Sequence, residues 1–298
     1  AYANENGIQI IGDIPIYVAM DSADTWANPW LFKLDEKNCP TQVAGCPPDG
    51  FSATGQLWGN PLYNWEVHRN SGYEWWIKRI ANCFRLYDVV RIDHFRGFDE
   101  YYAIPYGDAT AENGWWEKGP GIDLFRAISA SLGDREIIAE DLGYMTDSVK
   151  RLVEESGYPN MKVIEFAFDE RDTGNASDYL PHNYPRNCVV YTGTHDNETL
   201  LSWLEDITPA ERRQVRKYLN NFKDSGKELC DDLICLVMQS VANLCIVPMQ
   251  DYLGLDNSAR MNQPSTLGKN WKWRLKEGQF TAELQKEMLE LATRYGRR

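Results

Sequence analysis

Short apolar, β-branched runs recur along this chain, each followed by polar residues and then by a segment of helical period. That alternation restricts the fold more than any other feature. The runs fall within 8–18, 88–94, 136–142, 162–168, 187–195 and 243–251. Stretches such as Ile8-Gln9-Ile10-Ile11 and Val189-Val190-Tyr191 predict strands buried on both faces of a parallel sheet. Helices are predicted between them over 73–87, 121–132, 147–155 and 229–242, with a further amphipathic one over 281–295. Thr208-Pro209-Ala210-Glu211 opens another, with Thr as N-cap, Pro at the first helical position and Glu closing a capping box.

Such a succession folds either as a doubly wound sheet or as a (β/α)8 barrel. Almost every run closes on a charged or hydrogen-bonding set: Asp13, Asp93, Glu140-Asp141, His195-Asp196, Gln250-Asp251. Chemistry gathered at the C-terminal ends of many strands belongs to a barrel. A doubly wound nucleotide binder would show a Gly-rich turn after its first strand, and neither G-x-G-x-x-G nor a P-loop occurs. The barrel is therefore expected, with six strands in place of eight. Residues 19–72 show no clear period, are rich in Pro, Gly and Trp, and read as an insertion after the first strand.

Composition narrows the ligand. A net charge of −13, a pI near 4.8 and the lack of a Lys/Arg cluster argue against nucleic acid as a partner. No apolar run reaches membrane-spanning length, and the first residues lack the basic and apolar parts of a signal peptide. Seven Cys, without disulfide-scaffold or zinc spacing, predict reduced thiols and a cytoplasmic protein. Trp26, Trp30, Trp58, Trp65, Trp115, Trp116, Trp271 and Trp273 stand in polar, loop-like contexts. Aromatic faces there suit the C–H face of a sugar ring, so a carbohydrate ligand is expected.

Three strand ends carry acids. Arg91 and Asp93 are two apart and point the same way on a strand, so the guanidinium would keep Asp93 ionised as a nucleophile requires. Glu140 follows an apolar run, where burial would raise its pKa toward that of a general acid. Asp196, beside His195, is a third carboxylate. Two carboxylates with opposite protonation needs are the minimum for cleaving a glycosidic bond. Each acid could instead cap a helix or pair with an Arg. A metal site built from Asp93, His94, His195 and Asp196 is disfavoured, because the chain has four His and no H-x-H or H-E-x-x-H.

These acids sit in longer motifs: Gly12-Asp13-Ile14-Pro15-Ile16-Tyr17-Val18, Arg91-Ile92-Asp93-His94-Phe95-Arg96-Gly97, Ile138-Ala139-Glu140-Asp141-Leu142-Gly143 and Thr192-Gly193-Thr194-His195-Asp196-Asn197. With them stand Pro47-Pro48-Asp49, Gly55-Gln56-Leu57-Trp58-Gly59-Asn60-Pro61-Leu62-Tyr63, Ala259-Arg260-Met261-Asn262 and Asn270-Trp271-Lys272-Trp273-Arg274. In all of these the chain resembles the 4-α-glucanotransferases of glycoside hydrolase family 77, from end to end.

The resemblance implies an α/β chain of the α-amylase clan that holds strands three to eight of a TIM-type barrel, without cofactor or metal. It implies a retaining transfer of α-1,4-glucan segments among maltodextrin, amylose and glucose. Asp93 would be the nucleophile and Glu140 the acid/base, while Asp196 and His195 hold sugar hydroxyls, supported by Arg91 and Asp13. Trp58 would lie on a loop shielding the intermediate from water. Asn60, Tyr63, Asp141 and Asn262 would add substrate contacts. Gly50 departs from the Tyr or Ala of some relatives. The family's barrel begins before Ala1, so a need for the preceding segment is expected. Rival readings are a hydrolase of the same clan, an inactive glucan-binding fragment and, more remotely, a sugar-phosphate barrel enzyme. The N-x-S/T sequences at Asn175 and Asn197 carry no meaning in a cytoplasmic protein.

Overall fold

A computed structural model describes residues 1–49, 52–143, 145–169, 176–223, 225–264 and 266–297, so Gly50 and Asn175 lie outside the described residues. Ten strands are present there: β1 Ile11–Ile14, β2 Gln42–Cys46, β3 Gln56–Pro61, β4 Val89–Ile92, β5 Glu100–Pro105, β6 Trp115–Lys118, β7 Ile137–Ala139, β8 Asn160–Val163, β9 Cys188–Tyr191 and β10 Leu244–Ile246. The chain divides into two compact units, Ala1–Asn160 and Met161–Arg298. Among the described residues no helix is long and apolar enough to cross a membrane.

In the first unit β4 is the centre of a parallel sheet, flanked by β1 and β7. Every residue of β4 and β7 is buried, the charged Arg91 of β4 included. The helices Glu74–Cys83, Ile122–Leu132 and Asp147–Ser156 supply Trp76, Ile80, Leu124, Phe125, Ile128, Leu152 and Val153 to the core that holds Val90, Ile92 and Ile137. Gly12 of β1 is dictated by close approach, since a Cβ there would lie 2.0 Å from the Tyr87 ring.

A second, antiparallel sheet in this unit has the order β3-β2-β5-β6. Two of its strands come from 19–72 and two from 100–118, and the sequence reading identified neither β5 nor β6. Strand β6, Trp-Trp-Glu-Lys, is an edge strand with three of four residues exposed, so it carries no burial period. The small cluster of Val43, Tyr102, Ile104 and Ala111 binds this sheet.

In the second unit β9 lies between β10 and β8, parallel to β10 with Val190 opposite Cys245. The helix Gly226–Met238 buries Leu229, Cys230, Leu233, Ile234 and Val237. The expected capping box forms at Thr208 and Glu211.

A strand falls in or overlaps each of the six predicted spans, but the stretch Ile8-Gln9-Ile10-Ile11 is corrected: residues 8–10 precede β1 and are exposed, and only Ile11 belongs to the strand. Pro15 follows the end of β1, and a proline offers no N–H to a ladder. His94, at φ 52°, turns the chain out of β4 into a 3-10 turn. Over 162–168 the strand reading is corrected: β8 stops at Val163 and Ile164–Phe168 forms a 3-10 helix that buries Glu165, Ala167 and Phe168. Over 243–251 only Leu244–Ile246 is strand, and Pro248 caps the helix Met249–Tyr252. Short apolar runs do not distinguish a strand from a buried helical turn.

Candidate active site

The parallel register places Asp13 of β1 opposite Arg91 of β4. Ladder bonds extend one step past the strands: the Asp93 amide donates to the Ile14 carbonyl at 2.9 Å and the Glu140 amide to that of Ile92 at 3.1 Å. Asp93 and Glu140 therefore both emerge at the C-terminal end of this sheet, where adjoining parallel strands can present side chains together.

The Arg91 guanidinium is buried and pairs through one nitrogen with Asp13 at 2.7 Å and Asp93 at 3.0 Å. Burial opposes its charge, but Glu140, Asp13 and Asp93 outweigh that and raise its pKa. A permanently charged guanidinium in contact with Asp93 favours the ionised carboxylate. Glu140 is in the opposite condition. Burial first, then the Asp93 charge, push its carboxyl up to about 7, against the pull of Arg91 and of the Leu142 and His94 amides. Those amides donate to its two oxygens, Leu142 to Oε1 at 2.8 Å and His94 to Oε2 at 2.6 Å. One carboxylate is thus held by a cation while its neighbour retains a proton near neutral pH.

The His94 ring also meets Trp58 edge to face, centroids 4.8 Å apart. Trp58 is half-buried, with its indole N–H donated to Gln56 at 3.0 Å. Asn60 donates to the Val18 carbonyl at 2.9 Å, tying β3 to the segment that leaves β1. Tyr63 requires a correction. It is fully buried, its hydroxyl donates to the Ile16 carbonyl at 2.8 Å and accepts from Arg79 at 3.2 Å, and it offers no surface to a ligand. Asp141 is buried also, accepting from Asn160 at 3.2 Å.

In the second unit the turn after β9 gathers a separate polar set. Asp196 takes a bond from Asn262 at 2.5 Å and lies 3.4 Å from His195 Nε2. The Asn262 amide donates to the His195 carbonyl at 3.0 Å, and Arg260 donates to the Asp196 carbonyl at 2.6 Å. The half-exposed Trp271 ring stands 5.0 Å from that of His195. The first unit therefore brings together Asp13, Arg91, Asp93, Glu140 and, through His94, Trp58. The second joins His195, Asp196 and Asn262.

Sequence reasoning missed the amide of His94, the anchoring role of Arg260 and the buried acid Glu165, whereas Asp251 was singled out as a strand-end polar residue. A charged residue within an apolar run was the available signal for Glu165.

The sequence profile of the 4-alpha-glucanotransferases, glycoside hydrolase family 77, matches residues 1–281. A 4-alpha-glucanotransferase of Streptococcus pneumoniae is 51% identical over 298 residues, which cover 100% of this chain and 58% of the relative. Among solved structures, amylomaltase from Streptococcus agalactiae in complex with acarbose matches with a TM-score of 0.94 at 43% identity, covering 99% of this chain and 59% of that one. A noncanonic maltogenic α-amylase from Thermotoga neapolitana, at 13% identity and a TM-score of 0.52 over 99% of this chain and 57% of its own, shares the fold alone. The chain spans about three-fifths of the length of these relatives. On fold and sequence alike, it belongs to the 4-α-glucanotransferase family, glycoside hydrolase family 77.

Proposed function

We propose that this chain carries out 4-α-glucan transfer, moving an α-1,4-glucan segment from a donor to the 4-hydroxyl of an acceptor glucan or glucose by a retaining double displacement. The observation that carries the reading is the opposed state of two neighbouring carboxyls: Asp93 in contact with the Arg91 cation, Glu140 buried and raised to about 7. Asp93 attacks the anomeric carbon as the glycosidic C–O bond breaks, and the Glu140 proton passes to the departing oxygen. Glu140, now a carboxylate, takes the proton of the acceptor hydroxyl, whose oxygen displaces Asp93 and restores both groups.

Asp13 supports Asp93 through their shared Arg91, and the segment around Trp58, packed on His94, shields the intermediate from water. We assign the His195–Asp196–Asn262 set to glucan hydroxyls. The seven cysteines are all free thiols, which suits a reducing cytoplasm. The family relationship and the likeness to an amylomaltase solved with acarbose support maltooligosaccharides as substrates.

Incubation of the full chain with maltotriose, read by chromatography beside Asp93→Asn, tests the proposal. Glucose with a ladder of longer maltodextrins, lost in the variant, is the expected result. Glucose and maltose alone would make the chain a hydrolase. No product from the folded chain would favour the inactive glucan-binding fragment instead.

A further inference from the structure

Among the described residues, five that are not glycine hold a positive φ: Asn38, Tyr73, His94, Asn220 and Trp271. The left-handed region crowds a Cβ, so a bulky side chain stays there only where its surroundings hold it. Asn tolerates the region through its short polar side chain. Tyr73 is buried in the core of the first unit, and His94 grips Glu140 through its amide. Trp271, at φ 62°, is 52% exposed, so burial in an interior does not account for it.

The loop around Trp271 holds its backbone from several sides. The Trp271 amide donates to the Met261 carbonyl at 2.6 Å. Arg274 Nη1 donates to the Trp271 carbonyl at 2.9 Å and to that of Trp273 at 2.7 Å. Just before the tryptophan, Asn270 Oδ1 accepts from the Gln263 amide at 3.0 Å, while Nδ2 donates to the Thr266 carbonyl at 3.0 Å. Asn262, between Met261 and Gln263, donates to Asp196 Oδ1 at 2.5 Å. The short stretch from Met261 to Gln263 thus fixes both the Asp196 carboxylate and the backbone of Trp271.

That backbone sets the indole beside His195. The two rings are 5.0 Å apart and inclined at 43°, and the indole N–H has no protein partner among the described residues. An indole face takes the apolar C–H face of a pyranose, and the N–H at its edge can donate to a hydroxyl. A glucosyl ring whose hydroxyls meet His195 and Asp196 comes within reach of this surface.

We propose that Trp271 is a glucan-binding residue, stacking on a glucosyl ring of an α-1,4-glucan next to His195. This role rests on the reading that His195 and Asp196 hold glucan hydroxyls. A tryptophan that merely packs would stabilise the fold. One held strained and half-exposed for a ligand can be replaced without loss of stability, provided the new residue accepts the backbone.

The full chain carrying Asp93→Asn, which leaves the sugar uncleaved, serves as the parent. It is titrated with maltoheptaose by calorimetry, alone and with Trp271→Phe, Trp271→Asn or, as reference, Asp196→Ala. Urea unfolding without sugar is measured alongside. Trp271→Phe keeps an aromatic face and is expected to bind within about fivefold of the parent. Trp271→Asn should bind about 10–100-fold more weakly, with a urea midpoint at or above that of the parent. Full affinity in Trp271→Asn, or an equal loss in both Trp271 variants, would overturn the proposal. So would a lowered urea midpoint in Trp271→Asn, which would make the indole a packing group. Should Asp196→Ala bind as the parent does while Trp271→Asn binds weakly, the reading of Asp196 falls and Trp271 stands. No binding by the parent at millimolar sugar would overturn both.

Discussion

The backbone amide of His94 donates to Glu140 Oε2 at 2.6 Å, bridging residues 46 apart in sequence. His94 directly follows Asp93, so the bond locks the acid to the backbone that carries the neighbouring carboxylate. Charge on Asp93 is then felt strongly at Glu140, where it is second only to burial in raising the pKa.

That coupling has a measurable sign. Carboxyl-labelled Glu140, followed by NMR, is expected to titrate near 7 in the parent chain. Asp93→Asn removes the charge that disfavours ionisation, so the midpoint should fall below the parent value. An unmoved midpoint would mean that the two groups do not interact. No turnover is needed for the measurement.

Tyr63→Phe separates a buried support from a sugar contact. The hydroxyl bridges the Ile16 carbonyl and Arg79 and reaches no surface. Its loss should cost about 1–3 kcal/mol of stability, the penalty for a buried group left unpaired. Affinity for maltooligosaccharide should stay near that of the parent. A tenfold weaker affinity at unchanged stability would restore Tyr63 to the ligand site.

Most of the parallel strands were legible because a short run of apolar, β-branched residues leads to a polar terminus, as Val89, Val90 and Ile92 lead to Asp93 with Arg91 among them. The acids followed from the same pattern. Strand β6 was hidden because Trp115-Trp116-Glu117-Lys118 is exposed and buries no face. Tyr63 was misplaced because a motif names a residue without its depth, and only packing against Phe32, Trp65, Trp75 and Trp76 shows that its ring is enclosed. Glu165 was concealed by Ile164 and Phe166 on either side, which made a 3-10 turn look like strand.

Gly12→Ala tests the contact between β1 and Tyr87, two residues before β4. The added methyl would stand 2.0 Å from the Tyr87 ring, so the ring or the strand must move. A loss of about 1–3 kcal/mol in chemical denaturation is expected, as for an overpacked interior. Tyr87→Ala in the same chain should recover most of it by removing the clashing ring. Equal stability of Gly12→Ala and the parent would show that β1 yields freely.

His68 makes the first unit sensitive to mild acid. Its ring is buried among Tyr63, Trp65 and Trp75, with centroids 5.3, 5.3 and 5.9 Å away. Nε2 lies 3.2 Å from the Leu31 carbonyl, while Nδ1 is buried without a partner among the described residues. Burial lowers the pKa from 6.5 to about 4, although the Leu31 carbonyl acts the other way. The unfolded chain therefore binds a proton between those values that the folded chain refuses. Stability from this group is complete above 6.5 and drains away as pH falls toward 4. The shift corresponds to a loss of about 3 kcal/mol in full, most of it complete by a pH of about 4.5. Urea unfolding at neutral pH and at about 4.5 reads this directly for the parent and His68→Phe. The variant forfeits the Leu31 bond at both pH values, so only the difference between the two conditions is diagnostic. The parent should lose about 2–3 kcal/mol more than the variant over that interval. Equal losses would mean that His68 is protonated without cost and that its aromatic surroundings admit the charge.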